Sequence, residues 1–118
     1  MGARAQVKIE MDPHPVYLYT HYGSGEILRS VQTGMIAGQG RWSDDEYLTR
    51  ILFDNIRTKY DDPVTGYGIG TGIHGDLDCH VVVDCESSTV AFHQHQEDDP
   101  EITWTFEDFI QQDFGSRS

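Results

Sequence analysis

Basic residues are scarce in this chain. Its 118 residues hold 2 Lys and 6 Arg against 13 Asp and 7 Glu, for a net charge of −12. A surface of that sign repels phosphate backbones, which excludes ordinary direct nucleic-acid binding. No apolar run reaches the roughly 18 residues of a membrane span, so no membrane partner is expected. No charged-then-apolar leader with a small-residue cleavage site opens the chain, so secretion is not expected either. Cysteine is nearly missing, with Cys79 and Cys85 alone. On one strand they would stand roughly 20 Å apart, against the roughly 7 Å that a disulfide tolerates. Reduced thiols facing the core of a cytoplasmic protein are the expected state.

Catalytic signatures are missing as well. There is no G-x-S-x-G, no G-x-x-x-x-G-K-[ST] and no H-E-x-x-H, so an enzyme is not the expected reading and no cofactor is implied. "GTGIHG" at 70–75 has the spacing of a dinucleotide-binding loop. That fingerprint requires a helix directly after it. The next ten residues are "DLDCHVVVDC", β-branched and extended, so the fingerprint is rejected. The acids are spread along the chain rather than spaced as on a duplex. This favours a solvated acidic surface of the kind found in salt-loving organisms over a DNA mimic.

The residues present describe one α+β domain. "VYLYTHY" (16–22) is rich in aromatic and β-branched residues and predicts a strand. Ile27, Leu28, Val31 and Met35 come next at helical spacing, with Ser24 as a candidate N-cap, and Gly34 weakens the last turn. In "SDDEYLTRILFDNIRTKY", Ser43 and Glu46 form a capping box, and Leu48, Ile51, Leu52 and Ile56 make an apolar stripe. Strands are predicted around 66–73, 79–85 and 89–95. On the first of these, Gly66, Gly68, Gly70 and Gly72 would share a bare face that a helix, a ring or another backbone could approach. On the other two, paired residue numbers summing to an odd value, such as 83 with 92, place Cys79, Val81, Val83, Cys85, Val90 and Phe92 on one face. His80, Val82, Asp84, Ala91, His93 and His95 then share the opposite, wet face. A short strand, "ITWTF", leads into a last helix capped by Thr105 with Asp108.

The predicted order is βααβββ(β)α, a small single domain with a mostly antiparallel sheet packed against two main helices. Residues 1–15, with prolines at 13 and 15, are expected to be a flexible arm. The domain spans 16–114 and a tail covers 115–118. Small sheets leave edges, so a homo-oligomer is also expected.

Two constellations could bind something. Arg41 and Trp42 precede the second helix, Tyr47 and Arg50 lie in its first turns, His21 ends the first strand and Tyr67 stands in the glycine-rich strand. Aromatics stack flat groups and backbone N–H groups at a helix start favour anions, so these six are the candidate ligand-binding set. The structural alternative has Trp42 packed on the core, with Arg41 and Arg50 paired to Asp44, Asp45 or Asp54. The second constellation is His80, His93 and His95, where neighbouring imidazoles could hold zinc or nickel. Its alternative is a solvated strand face with scattered histidines, and no metal is expected.

"VYLYTHYGSGEI", "GRWSDDEYLTRILFDNI", "TGYGIGT", "VVVDCESSTV" and "WTFEDFI" occur in that order over residues 16–110. The combination resembles a group of small uncharacterised proteins of phages, prophages and other microbial genomes, haloarchaea included. Members read VY-x-YTHW, RW-x-DD-x-YL-x-RI and TGYGIS. Tyr22 here replaces the expected Trp, and Gly70 the expected Ser. The resemblance implies a mobile-element setting and, for a viral protein, the cytoplasm of the host cell.

The expected function is therefore non-enzymatic binding. One form is a counter-defence factor that sequesters a small nucleotide-like ligand or blocks a host effector. A second is an acidic protein-binding inhibitor or DNA mimic using Asp44, Asp45, Asp61 and Asp62. A third, from another class, is a metal-dependent hydrolase built on His80, His93 and His95.

Overall fold

Alternation of apolar and polar side chains builds the centre of the sheet. The computed structural model describes residues 5–11, 14–20, 27–56, 67–70, 72, 79–93 and 100–114. Its first strand is Ala5–Glu10 (β1), in which Ala5, Val7 and Ile9 are completely buried while Gln6, Lys8 and Glu10 point to the other face. Ala5–Glu10, expected to lie within a flexible arm over 1–15, thus form a strand of the sheet, while residues 1–4, 12 and 13 lie outside the described residues. The sequence "AQVKIE" has the period of a half-buried strand, and Pro15 falls in the connection to the next strand rather than in β1.

The remaining elements are Val16–Thr20 (β2), Ile27–Ala37 (α1), Asp45–Ile56 (α2), Tyr67–Gly70 (β3), Cys79–Asp84 (β4), Thr89–His93 (β5), Ile102–Thr105 (β6) and the short Phe106–Phe109 (α3). A single 3-10 turn, Gln39–Arg41, sits between α1 and α2. The strands form one six-stranded sheet in the order β3-β2-β1-β4-β5-β6. The β1–β4 pair is parallel and the other pairs are antiparallel, so the fold is α+β with a mixed, mostly antiparallel sheet.

Parity decides which side chain goes where. His80 pairs with His93, Val81 with Phe92 and Val83 with Val90. This register differs by two residues from a pairing of 83 with 92, so the side chains of the paired residues keep their expected faces. One cross-strand row runs Ile69, Leu18, Val7, Val81, Phe92, Ile102 through all six strands. Its centre lies in the core with Ile27, Val31 and Met35 of α1 and Leu48, Leu52 and Ile56 of α2. The two helices cannot cover a sheet roughly 24 Å wide to both edges, and Ile69 is accordingly 63% exposed at the β3 end.

The helices meet at a glycine. A Cβ on Gly34 would stand 2.7 Å from Leu52 Cδ2 and 3.2 Å from Leu52 Cα. Gly34 therefore weakens α1 by propensity and in exchange lets α2 approach closely. Helix α2 begins one residue later than its capping box predicts. Leu48 N–H donates to the Asp44 carbonyl at 3.0 Å, which puts Asp44 rather than Ser43 at the N-cap. At the far end of the chain the expected cap forms, with Asp108 N–H donating to Thr105 Oγ1 at 3.1 Å. Phe106 and Phe109 are buried there, and Trp104, Phe109 and Phe114 pack edge-on and tilted at 5.2–5.5 Å.

Candidate functional site

The residues singled out around the start of α2 divide into anchors and exposed groups. Trp42 is half-buried, donates Nε1–H to the Met35 carbonyl at 3.0 Å and meets Phe106 edge-on at 5.3 Å. It joins the helical turn to α3 as a core anchor. Arg41 stacks over the Tyr47 ring at 4.4 Å and reaches Asp44 at 3.5 Å. Arg50 pairs with Asp54 at 2.7 Å on the exposed face of α2. Both arginines thus have carboxylate partners, and exposed pairs of this kind contribute little to stability.

Tyr67 is not part of this group. It lies on β3 at one edge of the sheet, whereas Trp42 touches Phe106, which directly follows β6 at the other edge. Five strand spacings separate those edges, roughly 24 Å. His21, Asp61, Asp62 and His95 lie outside the described residues. Gly68 and Gly70 would meet nothing within 4 Å if given a Cβ, so the bare strip of β3 faces open space there, and the same holds for Gly72 just beyond the strand.

The second face of the sheet holds a different arrangement. Tyr19, Gln6, His80 and His93 form a row across β2, β1, β4 and β5. Sequence parity places His80 and His93 on one face, and the observed register makes them direct cross-strand partners, with ring centroids 5.6 Å apart. The expectation that this face is wet fails at its centre, since Gln6 is completely buried and His80 is only 4% exposed. For Gln6 the physical reason is visible at Gly72, whose carbonyl accepts from Gln6 Nε2 at 3.2 Å. Gln6 points to the second face, so Gly72 lies against the Gln6 side chain on that side.

His80 Nδ1 is buried and has no hydrogen-bond partner. Whether it carries the proton or the lone pair, it is uncompensated, which costs on the order of 1–3 kcal/mol. Burial holds the His80 pKa down at about 4, helped by the neighbouring His93 and Lys8 and opposed by a backbone contact with Gln6. The imidazole is therefore neutral at neutral pH. Lys8 is itself paired with Glu10 at 2.7 Å. Sequence reasoning put these residues on one face, and the orphaned nitrogen is visible only in three dimensions.

Cys79 is buried and Cys85 half-buried, and both are free thiols. Burial, with Asp45 and Asp84 nearby, pushes the Cys85 thiol up to about 11, so it is a poor nucleophile at neutral pH. Among the described residues no group of three or more His, Cys, Asp or Glu gathers as a metal cluster. No helix among them is long and apolar enough to cross a membrane.

The fold and these two surfaces define a small α+β domain with a paired Arg–Tyr corner and a buried histidine row. Comparison of the chain with protein-family models, curated proteins and solved structures returns no match.

Proposed function

We propose that the protein is a non-enzymatic binding protein that engages a partner protein through the corner where α1 turns into α2. The observation that carries this reading is the Arg41–Tyr47 stack, exposed at the surface with Tyr47 50% accessible. Ile36, on the last turn of α1, is exposed at the same end of the helix pair. Arginine, tyrosine and a neighbouring apolar side chain are the residue types that anchor protein interfaces. Asp44, Asp45 and Glu46 rim the corner, so the complementary surface is basic with an apolar centre.

The same geometry argues against capture of a free nucleotide-like anion. Arg41 and Arg50 already have carboxylate partners, and the acids at the helix start oppose a second anion. The resemblance to phage and prophage proteins supports a host effector as the partner and counter-defence as the role, acting in the host cytoplasm. The outer strands β3 and β6 carry no charged residue, which supports the further expectation of self-association through a sheet edge.

The test joins calorimetry to crosslinking. A panel of mono- and cyclic nucleotides gives no heat. A photocrosslinking side chain at position 46, installed in cells, gives one discrete adduct that Arg41→Glu and Tyr47→Ala both abolish. Nucleotide binding that depends on Arg41, or an adduct indifferent to both substitutions, overturns the reading.

A further inference from the structure

We infer that His80 and His93 form a binding site for a divalent metal ion of the zinc class on the second face of the sheet. The site is distinct from the α1–α2 corner and does not depend on that reading.

Three observations meet here. The two histidines stand directly opposite each other on adjacent antiparallel strands, so their positions are set by backbone hydrogen bonds rather than by a loop. His80 is almost completely buried, and its Nδ1 has no hydrogen-bond partner. A fully satisfied structural histidine would not leave that atom unpaired. The ring separation also suits a shared ion. A Zn–N bond of about 2.0–2.1 Å places each centroid roughly 3.2 Å from the metal, and centroids 5.6 Å apart then subtend about 120°, close to tetrahedral.

The donor chemistry agrees. Neutral imidazoles suit zinc, nickel and copper, whereas magnesium and calcium prefer oxygen. Lys8, the cation that bears on His80, is paired with Glu10, which lowers its opposition to a bound cation. With two imidazoles from the sheet, water fills the remaining positions of a four-coordinate ion. Such a site leaves exchangeable positions for a ligand of the metal. The buried Gln6 side chain is the neighbour of His80 in the row and donates to the Gly72 carbonyl.

The test uses the full chain, purified without a histidine tag and stripped with a chelator, titrated with Zn²⁺ by calorimetry. One Zn²⁺ binds per chain, and His80→Ala and His93→Ala each weaken binding at least tenfold. His14→Ala, at an exposed position between β1 and β2, leaves it unchanged. His93 is only half-buried, so its variant keeps the test decisive should His80→Ala fail to fold. Failure of the wild type to bind, or binding that neither His80→Ala nor His93→Ala weakens, overturns the inference.

Discussion

The two faces of the sheet are built by the same six strands, yet they are different kinds of surface. Under the helices, the rows are apolar across the centre, and Val7, Val81, Val83 and Val90 are fully buried against α1 and α2. On the other side the same strands present Tyr19, Gln6, His80 and His93, with two of these polar residues buried at the centre. The first face leaves no buried side-chain polar atom unmatched among the described residues, while the second leaves His80 Nδ1. A sheet needs only one apolar face to fold. The second face is therefore free to hold groups that cost stability, as a binding site does.

The contrast between the faces can be broken most forcefully on β4, where neighbouring valines point opposite ways. Val81→Asp buries an unpaired carboxylate under the helices and abolishes the cooperative transition in urea. Val82→Asp, half-buried on the second face, leaves a folded protein weakened by about 1 kcal/mol. Equal damage from the two would mean that both faces are core.

Acid comes next in size. His80 has a folded pKa of about 4 against 6.5 unfolded, so between those values the unfolded chain binds the extra proton. Stability contributed by the neutral imidazole is complete above pH 6.5 and lost as pH falls through that window, about 3 kcal/mol by pH 4. Urea midpoints measured at pH 7.0, 5.5 and 4.5 check this sign, and a stability that holds constant or rises toward pH 4.5 contradicts it.

Two glycines give the smallest contrast. Gly34→Ala drives a methyl into Leu52 and costs about 1–2 kcal/mol despite the gain in helix propensity. Gly68→Ala meets open space on the second face and changes stability by less than about 0.5 kcal/mol. Thermal melts of the pair distinguish a packed glycine from an unpacked one.

Much of this was legible in the residues, and the gaps have physical causes. The stripes are local periodicities: Ile27, Val31, Met35 and Leu48, Leu52, Ile56 bury as predicted, while Leu28 and Ile51 at their margins are half-buried. Parity alone places His80 on the face of His93, because a strand's period is two, and the two-residue difference in register is what makes them direct partners. Strand β1 was hidden by its context, since the prolines after it outweighed the alternation of Ala5, Val7 and Ile9. Its parallel pairing with β4 is a contact across some seventy residues that no local pattern encodes. Gly34 read as a weakness of α1 because its reason, Leu52, lies on the other helix. The candidate ligand set shares only proximity in sequence to element ends. The sheet order then separates Tyr67 from Trp42 by its full width. Parity assigns His80 a face, but its burial is a tertiary property that no local pattern encodes.

The most direct test of the division between the faces is the stability of His80→Leu at pH 7 and at pH 4.5. If His80 is retained for binding, an apolar side chain removes an uncompensated polar atom. The variant is then at least as stable as the wild type at pH 7, by about 1 kcal/mol, and no longer loses that contribution at pH 4.5. If His80 instead holds the fold together, His80→Leu loses about 2 kcal/mol or more at pH 7, and the account of the second face is wrong.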